Sequence, residues 1–342
     1  MHRPLRLTVD IEALQSNWRW LAETAGTVCG AAIKADGYGL GAKETLVSLH
    51  QAGCRDFFVT TWDEVERLGV IPDDASVAVL HGVRPDDLEG GLHPGCRPVL
   101  NSVEQVARWQ AEGQGRPCDV MVDTGMNRLG LRTDELAALD GLVIDTLHSH
   151  LACADEDHGL NATQLQRFRE IVAAVPARRY SLANSAGICL GRDYSFDLVR
   201  PGLALYGGIP RREAEGYIRQ VARVEAEVVQ RRTIRAGESC GYGATFAAEA
   251  DTEAAIVNIG YADGYLRGFS SSGRGYAGEF TLPVLGRVSM DLIALGCDSA
   301  PGISEGDWVE IDYKLPDASA ASGLSQYELL TTLGSRFERR WG

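Results

Sequence analysis

Residues 28–41 read VCGAAIKADGYGLG. A short apolar run stops at a lysine, and a glycine-rich turn follows. The run has no polar alternation, which suits a strand covered on both faces, as in a parallel sheet. The turn separates two parallel architectures. A doubly wound dinucleotide fold would follow its first strand with G-x-G-x-x-G, and KADGYGLG at 34–41 is not that pattern.

Outward from this stretch, runs of the same texture recur at 57–60, 76–80, 98–100, 120–122, 143–147, 180–183 and 198–199. Helical apolar spacing fills segments between them, at 42–52, 103–111 and 161–175. Eight strand candidates in about 200 residues predict an α/β fold, a (β/α)8 TIM-type barrel at the small end of its size range. At 211–220 the chain turns polar, RREAEGYIRQ, and this segment reads as a linker. Beyond it, strand-like runs at 221–229, 254–259, 282–285 and 308–311 alternate with the turns AGESCGYG, YADGYLRG and SSSGRGYAG. A helix over 326–337 is expected to close the chain. The expected domains are therefore a barrel at 1–215 and a mostly β C-terminal domain at 216–342.

The composition excludes several function classes. The 342 residues carry a net charge of −14, with Lys and Arg scattered, so no basic face for nucleic acid or an anionic membrane is expected. No stretch approaches the roughly 20 apolar residues of a membrane span, and the N-terminus lacks the apolar core of a signal peptide. A cytoplasmic protein is the expectation. The eight cysteines (29, 54, 96, 118, 153, 189, 240, 297) form no C-x-x-C pair and read as free thiols. His148, His150, Asp155 and His158 fit no common zinc spacing, and no metal is expected.

In such a barrel the active site lies at the C-terminal ends of the strands. The residues due there are Lys34, then Asp123 and Arg128, His148 and His150, Asn184 and Ser185, and Arg200-Pro201-Gly202. Several convergent polar groups at one rim point to a site. A lysine desolvated at a strand end holds a neutral amine that can condense with a carbonyl. Taken alone, Lys34 is more often a solvated loop lysine, and NSAG at 184–187 is equally an ordinary turn into a helix. Together they read differently. The loops after the seventh and eighth strands usually cradle phosphate, and here they offer the Ser185 hydroxyl and the backbone N–H groups of Gly202 and Leu203. A reactive lysine facing a phosphate site is the layout for pyridoxal 5′-phosphate (PLP).

AAIKADGYG, MVDTGMNRLG, HSHLACAD, LANSAG, VRPGLALYG, GYADGYLRG, GRVSMDL and YELLTTLGSRF follow one another along the chain. In these motifs and their order the chain resembles the alanine racemases, over both domains. The resemblance implies a PLP enzyme that interconverts L- and D-alanine as a homodimer with shared active sites, supplying D-alanine for peptidoglycan. Lys34 would bind PLP covalently and act as one of two acid/base groups. Tyr261 would be the other, arriving from the partner subunit. Tyr38, Asn184, Ser185, Gly202, Leu203 and Tyr327 would surround the phosphate. Arg200 would face the pyridine nitrogen, held by His150. Arg128 would approach the phenolic oxygen of PLP and the substrate, and the Met290 N–H the substrate carboxylate. An always-protonated arginine at the pyridine nitrogen weakens the ring as an electron sink and limits side reactions. That choice speaks against a decarboxylase. A broad-specificity or serine racemase, or a barrel that binds PLP without racemising, is the alternative. Tyr276 reads either as a residue of the substrate entrance or as an ordinary strand tyrosine.

Family members commonly read KANAYGHG at the cofactor lysine, so Asp36, Gly37 and Leu40 depart from the pattern. Several carry a carbamylated lysine two residues before the Asp of DTGM; Met121 stands there in this chain. A thioether cannot be carbamylated, so Arg128 must take its orientation from another partner. Racemisation is expected to be independent of bicarbonate, and a clear rate dependence on added bicarbonate would contradict this.

Overall fold

The computed structural model describes residues 2–89 and 91–342, in two units. The first comprises residues 14–205 and 209–219, the second 2–13, 206–208 and 220–342.

The first unit is the barrel. Its strands are Val28–Cys29 continued by Ala31–Ala32, then Asp56–Val59, Ser76–Val79, Cys96–Leu100, Cys118–Met121, Ile144–His148, Arg179–Ser181 and Leu198–Val199. Seven pair in sequence order as a parallel sheet, and Leu198–Val199 runs parallel to Val28–Cys29. Backbone bonds close the ring: Gly30 N–H to Val199 O, Ala32 N–H to Pro201 O, and Arg200 N–H to Ala183 O, all 2.9 Å. The strands are buried along nearly their whole length, as the unbroken apolar runs require. The helices between them carry ordinary terminal signals. Ser102 accepts the Gln105 N–H to start Val103–Glu112, and Gly53, at φ 115°, ends Ala42–Ala52.

The N-terminal ends of the strands are joined by a buried layer of charge. Asp56, Arg97, Asp119, Asp145 and Arg179 are each the first or second residue of their strands. Arg179 bridges Asp56 (2.9 Å) and Asp145 (2.7 Å). Arg97 bridges Asp119 (3.1 Å) and Asp145 (3.3 Å). Burial alone would raise the Asp145 carboxyl, but Arg97 and Arg179 outweigh it and hold it below its usual range. Asp119 also accepts the Thr146 N–H and contacts His148 Nε2 at 3.3 Å.

The polar segment expected to be a linker, 211–220, belongs to the barrel unit as far as residue 219 and lies mostly exposed on its surface, with Ala214 buried. Buried Asn17 clamps Arg219 through both its N–H (2.8 Å) and its carbonyl (2.9 Å), and Tyr217 stacks on Trp20. Arg211 donates to Ala154 O and pairs with Asp157 and Glu213. Its polarity reflects these bonds, which composition alone does not reveal.

The second unit is built on a 13-residue strand, Ala222–Ile234. Its first half pairs with Leu5–Val9 and Trp308–Ile311, its second with Thr252–Val257. A register shift between Val228 and Gln230 marks the exchange of partners, the usual effect of a bulge. Ile293–Gly296 and the hairpin Arg274–Ala277/Phe280–Pro283 complete the β framework. The expected final helix is shorter than 326–337: it covers Gln326–Thr331, and Glu338–Trp341 is a strand parallel to Leu5–Val9. Gly334 donates to Asp263 O at 3.2 Å, which turns the chain out of the helix. The apolar spacing of 326–337 cannot report that pairing, because its partner lies at the other end of the sequence.

Removing one member of a buried ionic layer leaves the others uncompensated. Asp119→Ala is expected to lower unfolding stability by about 3 kcal/mol, measured by urea denaturation. A loss below about 0.5 kcal/mol, the range of surface changes, would refute a structural role for the layer.

Candidate active site

Lys34 follows the first barrel strand and opens a turn of unusual backbone geometry. Ala35, Asp36, Gly37 and Tyr38 all have φ between 52° and 60°, one turn of left-handed helix. Each non-glycine residue there costs roughly 1–2 kcal/mol, so the surroundings must hold the turn. Asp36 Oδ1 accepts the Ala42 N–H (3.0 Å) and Asp36 O the Gly41 N–H (2.8 Å). Glu64 binds the turn to the next strand end: its carboxylate accepts the N–H groups of Ala35 (2.6 Å), Thr60 and Thr61. The sequence did mark this residue. Thr61 and Glu64 form a capping box for Trp62–Leu68. Read as a helix start, that signal gives no hint that Glu64 also fixes the lysine-bearing turn.

The Lys34 amine has no hydrogen-bond acceptor among the described residues. Burial lowers its pKa, Arg128 and Arg200 push the same way, and Glu64 opposes them. Arg200 is buried; it donates to Ser149 O at 2.6 Å and to Ser181 Oγ. His150, expected to hold Arg200, lies within its electrostatic reach, and among the described residues Ser149 and Ser181 are the hydrogen-bond acceptors of Arg200. Burial brings the Arg200 pKa down to about 10, with only Asp119 opposing, and it remains charged at neutral pH. The His150 imidazole is driven to about 3 by burial and by Arg200, Arg128 and Lys34. Burial takes His148 to about 4. Both rings are neutral at physiological pH. The rim thus concentrates positive charge with little negative charge to offset it. Arg128 is exposed and makes no hydrogen bond among the described residues.

The phosphate-cradle residues also converge. Ser185 Oγ accepts the N–H groups of Gly202 (2.9 Å) and Ala204 (3.2 Å). A Cβ at Gly202 would lie 2.1 Å from the Tyr38 hydroxyl, so only glycine fits there. The N–H of buried Leu203 has no acceptor among the described residues. Asn184 is the N-cap of Ser185–Cys189 and accepts the Gly187 N–H at 2.8 Å, so it orients the loop. An aldehyde-bearing aromatic phosphate fits this donor set. Desolvated Lys34 would meet the aldehyde, and Tyr38, Ser185 and Leu203 would offer the anion two hydroxyls and a backbone N–H, while the Gly202 N–H is engaged by Ser185 Oγ.

Tyr261, Met290 and Tyr327 belong to the β-rich unit. Tyr261 and Met290 are brought together: Tyr261 donates its N–H to Ser289 O and Ala262 to Met290 O, both 3.0 Å. The Met290 N–H has no acceptor among the described residues. Tyr327 lies on the helix Gln326–Thr331 and is partly exposed. Tyr276 donates to Asp312 at 3.1 Å. Among the described residues no group of three or more His, Cys, Asp or Glu could hold a metal, and no helix is long and apolar enough to cross a membrane.

Two family models match the chain: alanine racemase, N-terminal domain, over residues 9–210, and alanine racemase, C-terminal domain, over 221–341. A protein of Agrobacterium fabrum named "Alanine racemase, catabolic" is 40% identical over 98% of this chain and 91% of its own length. One from Methylobacterium nodulans, "Alanine racemase", is also 40% identical, over 98% and 95%. The crystal structure of alanine racemase from Bartonella henselae with covalently bound pyridoxal phosphate is similar over 100% of both chains, at TM-score 0.93 and 37% identity. That of biosynthetic alanine racemase from Pseudomonas aeruginosa gives 0.90 and 31%, again over 100% of both.

Because both histidine pKa values lie below the unfolded value near 6.5, folding is favoured above that pH and loses stability as pH falls toward 4 and 3. The slope is about 1.4 kcal/mol per pH unit for each histidine. Urea midpoints between pH 7 and 5 are expected to fall for the wild type and less steeply for His150→Gln. Equal slopes would contradict a neutral His150.

Proposed function

The chain belongs to the alanine racemase family, and we propose that it interconverts L- and D-alanine with PLP held on Lys34. The observation that carries this reading is a desolvated lysine at a strand end, within electrostatic reach of Arg128 and Arg200, in a barrel whose strand-end loops also bring Ser185, Gly202 and Tyr38 together. Bound there, PLP withdraws electrons from the substrate Cα and so acidifies its proton.

The chain's own residues do the rest. Lys34, its pKa lowered by burial, exchanges a proton with Cα on one face. Tyr261 does so on the other, since a racemase must return the proton opposite to where it left. Arg200 presents a charged guanidinium to the pyridine nitrogen, with Ser149 and Ser181 fixing its plane. Arg128 takes the phenolic oxygen and the substrate carboxylate, to which Met290 adds its N–H. Tyr327 adds its hydroxyl to the phosphate donors. Neutral His150 lies beside the cationic groups and adds no further positive charge.

In this reading the active sites are shared in a homodimer, each Tyr261 serving the partner's barrel. The β-rich unit supports it by exposing Tyr242, Met290, Leu292 and Tyr327, side chains that a second copy would cover. We keep a division into a barrel at 1–215 and a β-rich domain at 216–342, which family models ending at 210 and beginning at 221 support, although residues 2–13 belong to the β-rich unit and 216–219 to the barrel unit. A cytoplasmic enzyme supplying D-alanine for peptidoglycan completes the proposal.

Proton NMR of L-alanine with the PLP-loaded protein in D2O is expected to show loss of the Cα proton and growth of D-alanine, with Lys34→Ala reducing both at least a thousandfold. An intact Cα proton would refute alanine as the substrate. Exchange on serine alone would move the assignment to a serine racemase.

A further inference from the structure

Asp263 is completely buried, two residues after Tyr261, and its one ionic partner among the described residues is Arg336. Arg336 Nε donates to Asp263 Oδ1 (2.6 Å) and Nη2 to Oδ2 (2.7 Å), a bidentate pair. The third nitrogen, Nη1, reaches Asp291 Oδ1 at 2.7 Å. One guanidinium therefore ties the turn that bears Tyr261 to the residue that follows Met290.

The backbone around it is equally constrained. Asp263 Oδ2 also accepts the Gly260 N–H at 3.0 Å, closing the turn on itself. A Cβ at Gly260 would stand 2.3 Å from Met290 O, and one at Gly264 2.5 Å from Thr332 O. Segments 260–264, 289–291 and 332–336 thus meet at backbone distance. Arg267, which opens the next turn, lies over the Tyr261 ring, 5.3 Å from its centroid.

We propose that Arg336 is a positioning residue for proton transfer. It sets the Tyr261 turn against the 289–291 loop, so that the phenol and the Met290 N–H are presented to the substrate as one rigid pair. The inference rests on the reading of Tyr261 as the second proton-transfer group. An arginine is required because its planar fork satisfies both Asp263 oxygens while leaving a donor for Asp291. A lysine ammonium, a point charge, holds Asp263 and releases Asp291. The two carboxylates in turn raise the Arg336 pKa, so the clamp stays charged throughout the working pH range.

The test is a double-mutant cycle on the PLP-loaded enzyme combined with amide hydrogen exchange. Arg336→Lys is expected to lower kcat/KM for alanine about tenfold, with the visible PLP band unchanged. In a Tyr261→Phe background the same change is expected to cost less than twofold, because its effect passes through the phenol. Exchange in peptides covering 260–264 and 289–291 should speed up at least fivefold while barrel peptides keep wild-type rates. Asp291→Asn, which frees only the third arm and spares the buried pair, should show the same pattern at about threefold in kcat/KM. It serves if Arg336→Lys does not fold. Equal costs in the wild-type and Tyr261→Phe backgrounds, or unchanged exchange in both loops, overturn the proposal. If Tyr261→Phe alone leaves kcat/KM unchanged, the assignment of Tyr261 falls first and takes this inference with it.

Discussion

Positive charge with too little negative charge beside it is the constraint on which the barrel rim depends. Lys34, Arg128 and Arg200 come within electrostatic reach of one another at the strand ends, and the carboxylates that oppose them are Glu64 and Asp119. Burial is the main force that removes charge from such a cluster, and the neighbouring cations add to it. The lysine pKa falls and the histidines go neutral, while arginine stays protonated. A lysine whose pKa is lowered by burial beside fixed cations gives up its proton more readily than a solvated one, and the remaining charge favours an anionic ligand. Both consequences come from the same desolvation, so reactivity and phosphate affinity are not independent features of this site.

The two ends of the barrel divide the work. At the N-terminal ends, Asp56, Asp119 and Asp145 alternate with Arg97 and Arg179, so that opposite charges meet in a buried layer. At the C-terminal ends like charges crowd and the backbone is strained. The left-handed turn at 35–38 survives because Glu64 and Asp36 satisfy its N–H groups and those of its neighbours. His148 links the ends: it contacts Asp119 and lies on the strand that leads to Ser149, whose carbonyl holds Arg200. Asp119 is therefore both a member of the structural layer and the counter-charge that opposes the fall in Arg200's pKa.

Much of this was legible from local chemistry. Unbroken apolar runs announced strands buried on both faces, and Gly202 marked a place where backbone must approach a polar group. The lysine, Ser185 and Arg200 stood at strand ends because each run stopped there. Nothing local ties Glu64 to the lysine-bearing turn, since its spacing from Thr61 signals only the start of a helix. Arg336 gives no local signal either, because its partners lie 73 and 45 residues away. The final helix was read too long because apolar spacing continues past Thr331, whereas the chain leaves the helix to pair with Leu5–Val9.

The sequence by itself determined the architecture and named the candidate site residues, since strand burial, turn chemistry and the motif order are properties of neighbouring residues. Only the tertiary structure decided how those residues are held. Ser149 and Ser181 accept hydrogen bonds from Arg200, Asn17 ties Arg219 into the barrel unit, and the Asp263–Arg336–Asp291 clamp joins two loops to the segment that carries Arg336. The physical reason is range. Side-chain periodicity and turn preference act over a few residues. Ion pairs and desolvation depend on which distant segments the fold brings within a few ångströms, and no local pattern encodes that distance.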